Sequence, residues 1–95
     1  MYDYSQSLAM GTRVETSSMA PSARDQQARL EQLGMNIRVL RTRRDLASDK
    51  LASAIGMDRA YLWKVERGRT NATTATLMRI ADGLDVPVTE LLEGV

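Results

Sequence analysis

The chain has 95 residues, enough for one domain of ordinary size, and contains no cysteine and no histidine. Those absences remove disulfides, thiolate ligands, the commonest general base and the commonest metal ligand, so no cofactor or metal is expected. The net charge of +1 hides an uneven distribution: residues 36–69 carry nine basic against four acidic groups, with a slight acidic excess on either side. A basic middle points to a localised anionic partner, or else to a solvated helix face.

Residues 1–24 read as a flexible N-terminal tail, without periodicity and rich in Ser, Thr, Met and Tyr up to Pro21. Asp3 and Glu15, with no basic start and no apolar run, argue against a secretory leader. No run approaches the ~18 apolar residues of a membrane span. A cytoplasmic protein is therefore expected, with no membrane partner and no evident small-molecule ligand.

The domain proper is expected over residues 25–95. Leu30, Leu33, Ile37 and Leu40 recur at helical spacing and predict a first helix over about residues 25–44. Gly34 interrupts it at a cost of about 1 kcal/mol relative to alanine. A short second helix is expected from Ser48 to Ala54, with Leu51, Ala52 and Ile55 inward and Gly56 just beyond its end. Asp58 is placed to cap a third helix from Arg59 to Arg67, with Leu62 and Val65 inward, ended by Gly68. Thr73 can cap a fourth, whose Leu77, Ile80, Ala81 and Leu84 share one face, with Gly83 near its end. Val86-Pro87-Val88 leads into a last short helix bearing Leu91 and Leu92. Nothing alternates at period two, so the fold class is all-α.

The segment 48–67 satisfies the constraints of two helices crossing near a right angle. Ala52 is small where the second crosses the first, and Gly56 accepts a positive φ in the turn. Leu51, Ile55, Met57, Leu62 and Val65 supply the apolar positions between them. This is the pattern of a helix-turn-helix. The outer face of its second helix is then Arg59, Ala60, Trp63, Lys64 and Arg67, basic and without an acid.

From Leu33-Gly34 through Leu51-Ala52, Ile55-Gly56, Tyr61-Leu62 and Val65-Glu66-Arg67-Gly68 to Val86-Pro87 and Leu91-Leu92, the chain resembles the phage-repressor-type, or xenobiotic-response-element, helix-turn-helix family. Asp58-Arg59-Ala60-Tyr61 and Glu66 to Asn71 are, less specifically, similar to controller proteins of restriction–modification systems. The resemblance implies a compact five-helix, lambda-repressor-like DNA-binding domain. It implies a transcriptional regulator, activator or repressor, that binds double-stranded DNA at a palindromic operator as a homodimer. An adaptor or antitoxin built on the same fold is the alternative; an enzyme finds no nucleophile–base pair or metal cluster to support it.

The expected base-reading residues are Arg59, Ala60, Trp63 and Lys64. Arg59 can bond guanine O6 and N7, or a phosphate; Lys64 matches a base-reading position of the family, or meets phosphate or solvent. Ala60 touches a thymine methyl or leaves room for the duplex. Trp63 packs on thymine methyls or sugar, or folds against the first or fourth helix. The resemblance puts Tyr61, Arg67, Arg69 and Asn71 near the DNA backbone, and Ser48 and Lys50 join them as expected phosphate contacts. Ser48 stands where the family usually carries Gln, and Ala47 where it prefers a Ser or Thr cap, so Ser48 is expected to cap one residue later or to touch phosphate. Asp49 would repel the backbone unless turned away. The resemblance implies that Arg41 and Glu66 form a structural ion pair, and that Val88, Leu91 and Leu92 form a two-fold dimer interface or pack within the monomer. Leu91 and Leu92 are about 100° apart on a helix, so one can anchor the monomer while the other crosses the interface.

Overall fold

The computed structural model describes residues 22–95. Those residues form five helices and no strand: α1 (Ala23–Arg43), α2 (Ser48–Ala54), α3 (Arg59–Glu66), α4 (Thr74–Leu84) and α5 (Val88–Leu91). All but the last three residues of the expected tail lie outside the described residues. Of those three, Ala23 and Arg24 are helical and Ser22 caps α1 in a capping box with Asp25, so α1 begins two residues earlier than its periodicity indicates.

α1 packs on α3 and α5, α2 on α3 and α4, and α4 on α5. Ile37, Leu51, Leu62, Ile80 and Leu84 are fully buried between them, with Leu33, Leu40, Ala52, Val65, Leu77 and Ala81 completing an aliphatic core. Each such leucine or isoleucine contributes about 1.5–3 kcal/mol on leaving water. Leu30, at the start of the periodic run, is only half-buried, because the core ends near Leu33.

Two glycines have roles that helix propensity conceals. A Cβ on Gly34 would fall on the backbone carbonyls of Val65 and Glu66, so Gly34 is what lets α1 lie directly on the end of α3. A Cβ on Gly83 would meet Leu51 and Ile55, so Gly83 is where α2 nests against α4. Gly83 lies near the end of α4, as its sequence position indicates. That helix ends at Asp85, which takes the left-handed conformation itself (φ 58°).

The helix ends are held in several ways. Asp58 accepts the Tyr61 N–H (3.0 Å) and Thr73 that of Thr76 (3.1 Å), as expected from the sequence. α2 is different: its N-cap is Ala47, which offers no side-chain acceptor, and Ser48 is already the first helical residue. Ser48 therefore does not cap one residue later. The Arg79 guanidinium donates to the carbonyls of Ile55 and Gly56 at the α2–α3 turn, and the Asn36 amide to those of Leu91 (2.8 Å), the last residue of α5, and Glu93 (2.7 Å) beyond it.

Candidate nucleic-acid interface

α2 and α3 are joined by a turn through Gly56, whose φ of 65° suits a residue without a Cβ. Inward-facing Leu51, Ala52, Leu62 and Val65 seat both helices on α1 and α4. That seating turns Arg59, Ala60, Trp63 and Lys64 outward, and all four are exposed. Together with Ser48 and Asp49 of α2 they line an open concavity of about 540 Å³. Asp49 is thus an acidic residue on the same concavity as Arg59 and Lys64. Lys50 is exposed on the next position of α2, outside the lining.

Trp63 remains 44% exposed and stands outside the core, so it is not folded into the domain. The guanidinium carbons of Arg67 and Arg69 lie over its ring, 5.5 and 5.3 Å from the centroid. Tyr61 is half-buried against the core, and Asn71 is exposed in the loop before α4.

Behind this face, Arg41 of α1 holds the end of α3. Its Nε donates to Glu66 Oε2 and its Nη2 to Oε1, both at 2.9 Å, while Nη1 donates to the Leu46 carbonyl at 3.0 Å. Glu66 is only 2% exposed. A carboxylate buried so fully needs a bidentate partner, and Arg41 provides it. Two further residues support the same end of α3 without any periodicity to announce them. Gln27 of α1 donates to the Gly68 carbonyl at 3.0 Å, and the Glu31 backbone packs against Gly68.

The expected dimer residues are not equivalent. Leu91 is fully buried within its own chain and belongs to the core. Of the adjacent leucine pair it is therefore the one that anchors the monomer and cannot serve an interface between copies, while Leu92, the C-cap of α5 about 100° further round, turns outward. Leu92 is 42% exposed, and Val88 is half-buried beside the core. Among the described residues there is no cluster of potential metal ligands and no helix long and apolar enough to cross a membrane.

Five helices around an aliphatic core, with a glycine turn presenting a basic, partly apolar outer helix, define a helix-turn-helix domain. The family model described as a helix-turn-helix domain matches residues 32–93, and the chain belongs to that family. The control protein C.SmaI of Serratia marcescens is 37% identical over 62 residues, covering 65% of this chain and 74% of that protein. The HTH-type transcriptional regulator SutR of Escherichia coli is 40% identical over 55 residues; the match covers 58% of this chain and 31% of that regulator. Among solved structures, the restriction–modification controller protein C.AhdI from Aeromonas hydrophila superposes with a TM-score of 0.66 at 38% identity, covering 67% of this chain and 97% of that one. The sequence resemblance to repressor-type and controller proteins is thus met at the level of both sequence and fold.

Proposed function

We propose that the protein is a sequence-specific DNA-binding transcriptional regulator that acts in the cytoplasm as a homodimer on a two-fold symmetric operator. It is a binding protein rather than an enzyme. The observation that carries this reading is the outward face of α3, where Arg59, Ala60, Trp63 and Lys64 are exposed around one concavity. A face of that size and charge suits the major groove. Arg59, at the N-terminal end, reads guanine through O6 and N7, and Lys64, one turn on from Ala60, reads a further base. Ala60 gives the face an apolar surface for a thymine methyl, and Asp49 offers an acceptor to a cytosine amino group. Ser48, Lys50, Tyr61, Arg67, Arg69 and Asn71 grip phosphates and fix the register.

A single α3 covers too few base pairs to select one site in a genome. A two-fold dimer doubles the site and places its halves about 34 Å apart. Val88 and Leu92 are the proposed self-complementary contact, since a two-fold interface uses the same residues on both sides. Control of a restriction–modification system is the narrower form of the reading, supported by the likeness to C.SmaI and C.AhdI.

Selection of bound sequences from random duplex DNA tests the proposal, with a two-fold symmetric consensus expected. On the selected site, Arg59→Ala should cost about 1–3 kcal/mol and relax discrimination at one base pair per half-site. An equal loss on all sequences would make Arg59 a phosphate contact. A protein that prefers no duplex would be an adaptor.

A further inference from the structure

We infer that Trp63 is a positioning residue for Arg67 and Arg69 rather than a reader of bases, an inference that rests on the DNA-binding reading above. Both guanidinium carbons lie within about 6 Å of the ring centroid, the range of cation–π attraction. Cation–π attraction holds a guanidinium without using up its N–H hydrogen bonds, so those donors stay free for phosphate oxygens. The ring thus holds two arginines in place without using the groups that would grip DNA.

A second observation comes from the opposite side. Gly68, between the two arginines, is buried with φ 69°. Gln27 donates to its carbonyl, and a Cβ there would lie 2.9 Å from the Glu31 backbone nitrogen. The α1 extension therefore fixes the backbone at Gly68, while Trp63 fixes the side chains on either side of it. Residues 22–31, which supply this brace, precede the segment matched by the family model. An unrestrained arginine loses rotamer freedom on binding, worth about 2- to 12-fold in affinity per side chain. Here that order exists before DNA arrives.

The test uses the full chain and two duplexes, the wild-type-selected site and an unrelated one of equal length. Trp63→Leu, with helical circular dichroism intact, should weaken both duplexes by the same factor, about 5-fold or more. Base preference should stay unchanged, and Trp63→Phe should restore most of the affinity. Arg69→Lys keeps the charge but loses the planar guanidinium that lies over the ring, so it should weaken both duplexes alike, which tests the idea even if Trp63→Leu does not fold. Trp63 is the sole tryptophan, so its emission should shift in Arg69→Ala and on adding either duplex. Loss confined to the selected duplex would make Trp63 a base reader and overturn the inference alone. So would a phenylalanine variant as weak as the leucine one. Wild-type protein with no preference and a flat salt dependence would remove the DNA-binding reading itself, and the inference with it.

Discussion

At Glu66, one carboxylate links the core to the binding face. It is buried, its two oxygens take two donors from Arg41, and its helix carries the outer residues of α3. Removing one partner of a buried pair leaves an uncompensated charge and costs about 3–5 kcal/mol. Glu66→Ala should fall at the lower end of that range, because Arg41 retains the Leu46 carbonyl and is slightly exposed. The Arg44–Asp85 pair is a useful contrast: it is 4.0 Å long and largely solvated. Arg44→Ala should change stability by less than about 0.5 kcal/mol. Urea denaturation of both variants measures the difference, and equal midpoints would contradict the role given to Glu66.

Between elements, the decisive residues are those that let backbones touch. Gly34 looks like a defect in α1 by propensity, and replacing a helical glycine with alanine ordinarily stabilises by about 1 kcal/mol. Here the added methyl would meet the carbonyl carbon of Glu66 at 2.6 Å, a backbone group that cannot swing aside. Overpacking of this kind costs about 1–3 kcal/mol or more, so Gly34→Ala should be destabilising overall. The opposite sign is expected at the start of α2. Ala47 offers no acceptor to the first-turn N–H groups, and Ala47→Ser should stabilise by about 1 kcal/mol. Thermal melts of the two variants should shift in opposite directions.

For the whole molecule, the proposed dimer predicts how binding couples to assembly. Leu92→Asp introduces charge at a 42% exposed position, so the monomer should fold normally. Sedimentation should then report a monomer, with operator binding much reduced because the two half-sites are no longer linked. Leu91→Asp should instead unfold the chain, since Leu91 has no exposure at all. A Leu92→Asp protein that stays dimeric would move the interface elsewhere on the surface. The charge pattern gives the same assembly a salt signature, with log affinity falling by about 0.9 per phosphate contact for each unit of log salt. A dimer using several cations per copy should show a slope steeper than about −4.

Local chemistry alone determined the helices, their caps at Asp58 and Thr73, the Gly56 turn and the basic outer face of α3. These depend on periodicity and on side chains reaching groups a few residues away, and both are written in adjacent positions of the chain. The Arg41–Glu66 pair was also legible, but only through the family resemblance, because the two lie 25 residues apart. Tertiary structure alone decided the rest. Gly34 and Gly83 are needed because another helix crosses them, and Leu91 rather than Leu92 is buried because α5 is short and its orientation is set by α1 and α4. Trp63 stays outside the core because the space inside is filled by aliphatic side chains, and its partners come from beyond the end of its own helix. For the two glycines the deciding atoms belong to residues distant in sequence, so no local pattern carries them; the arginines over Trp63 are near neighbours in the chain, and it is the filled core that leaves the ring outside to meet them.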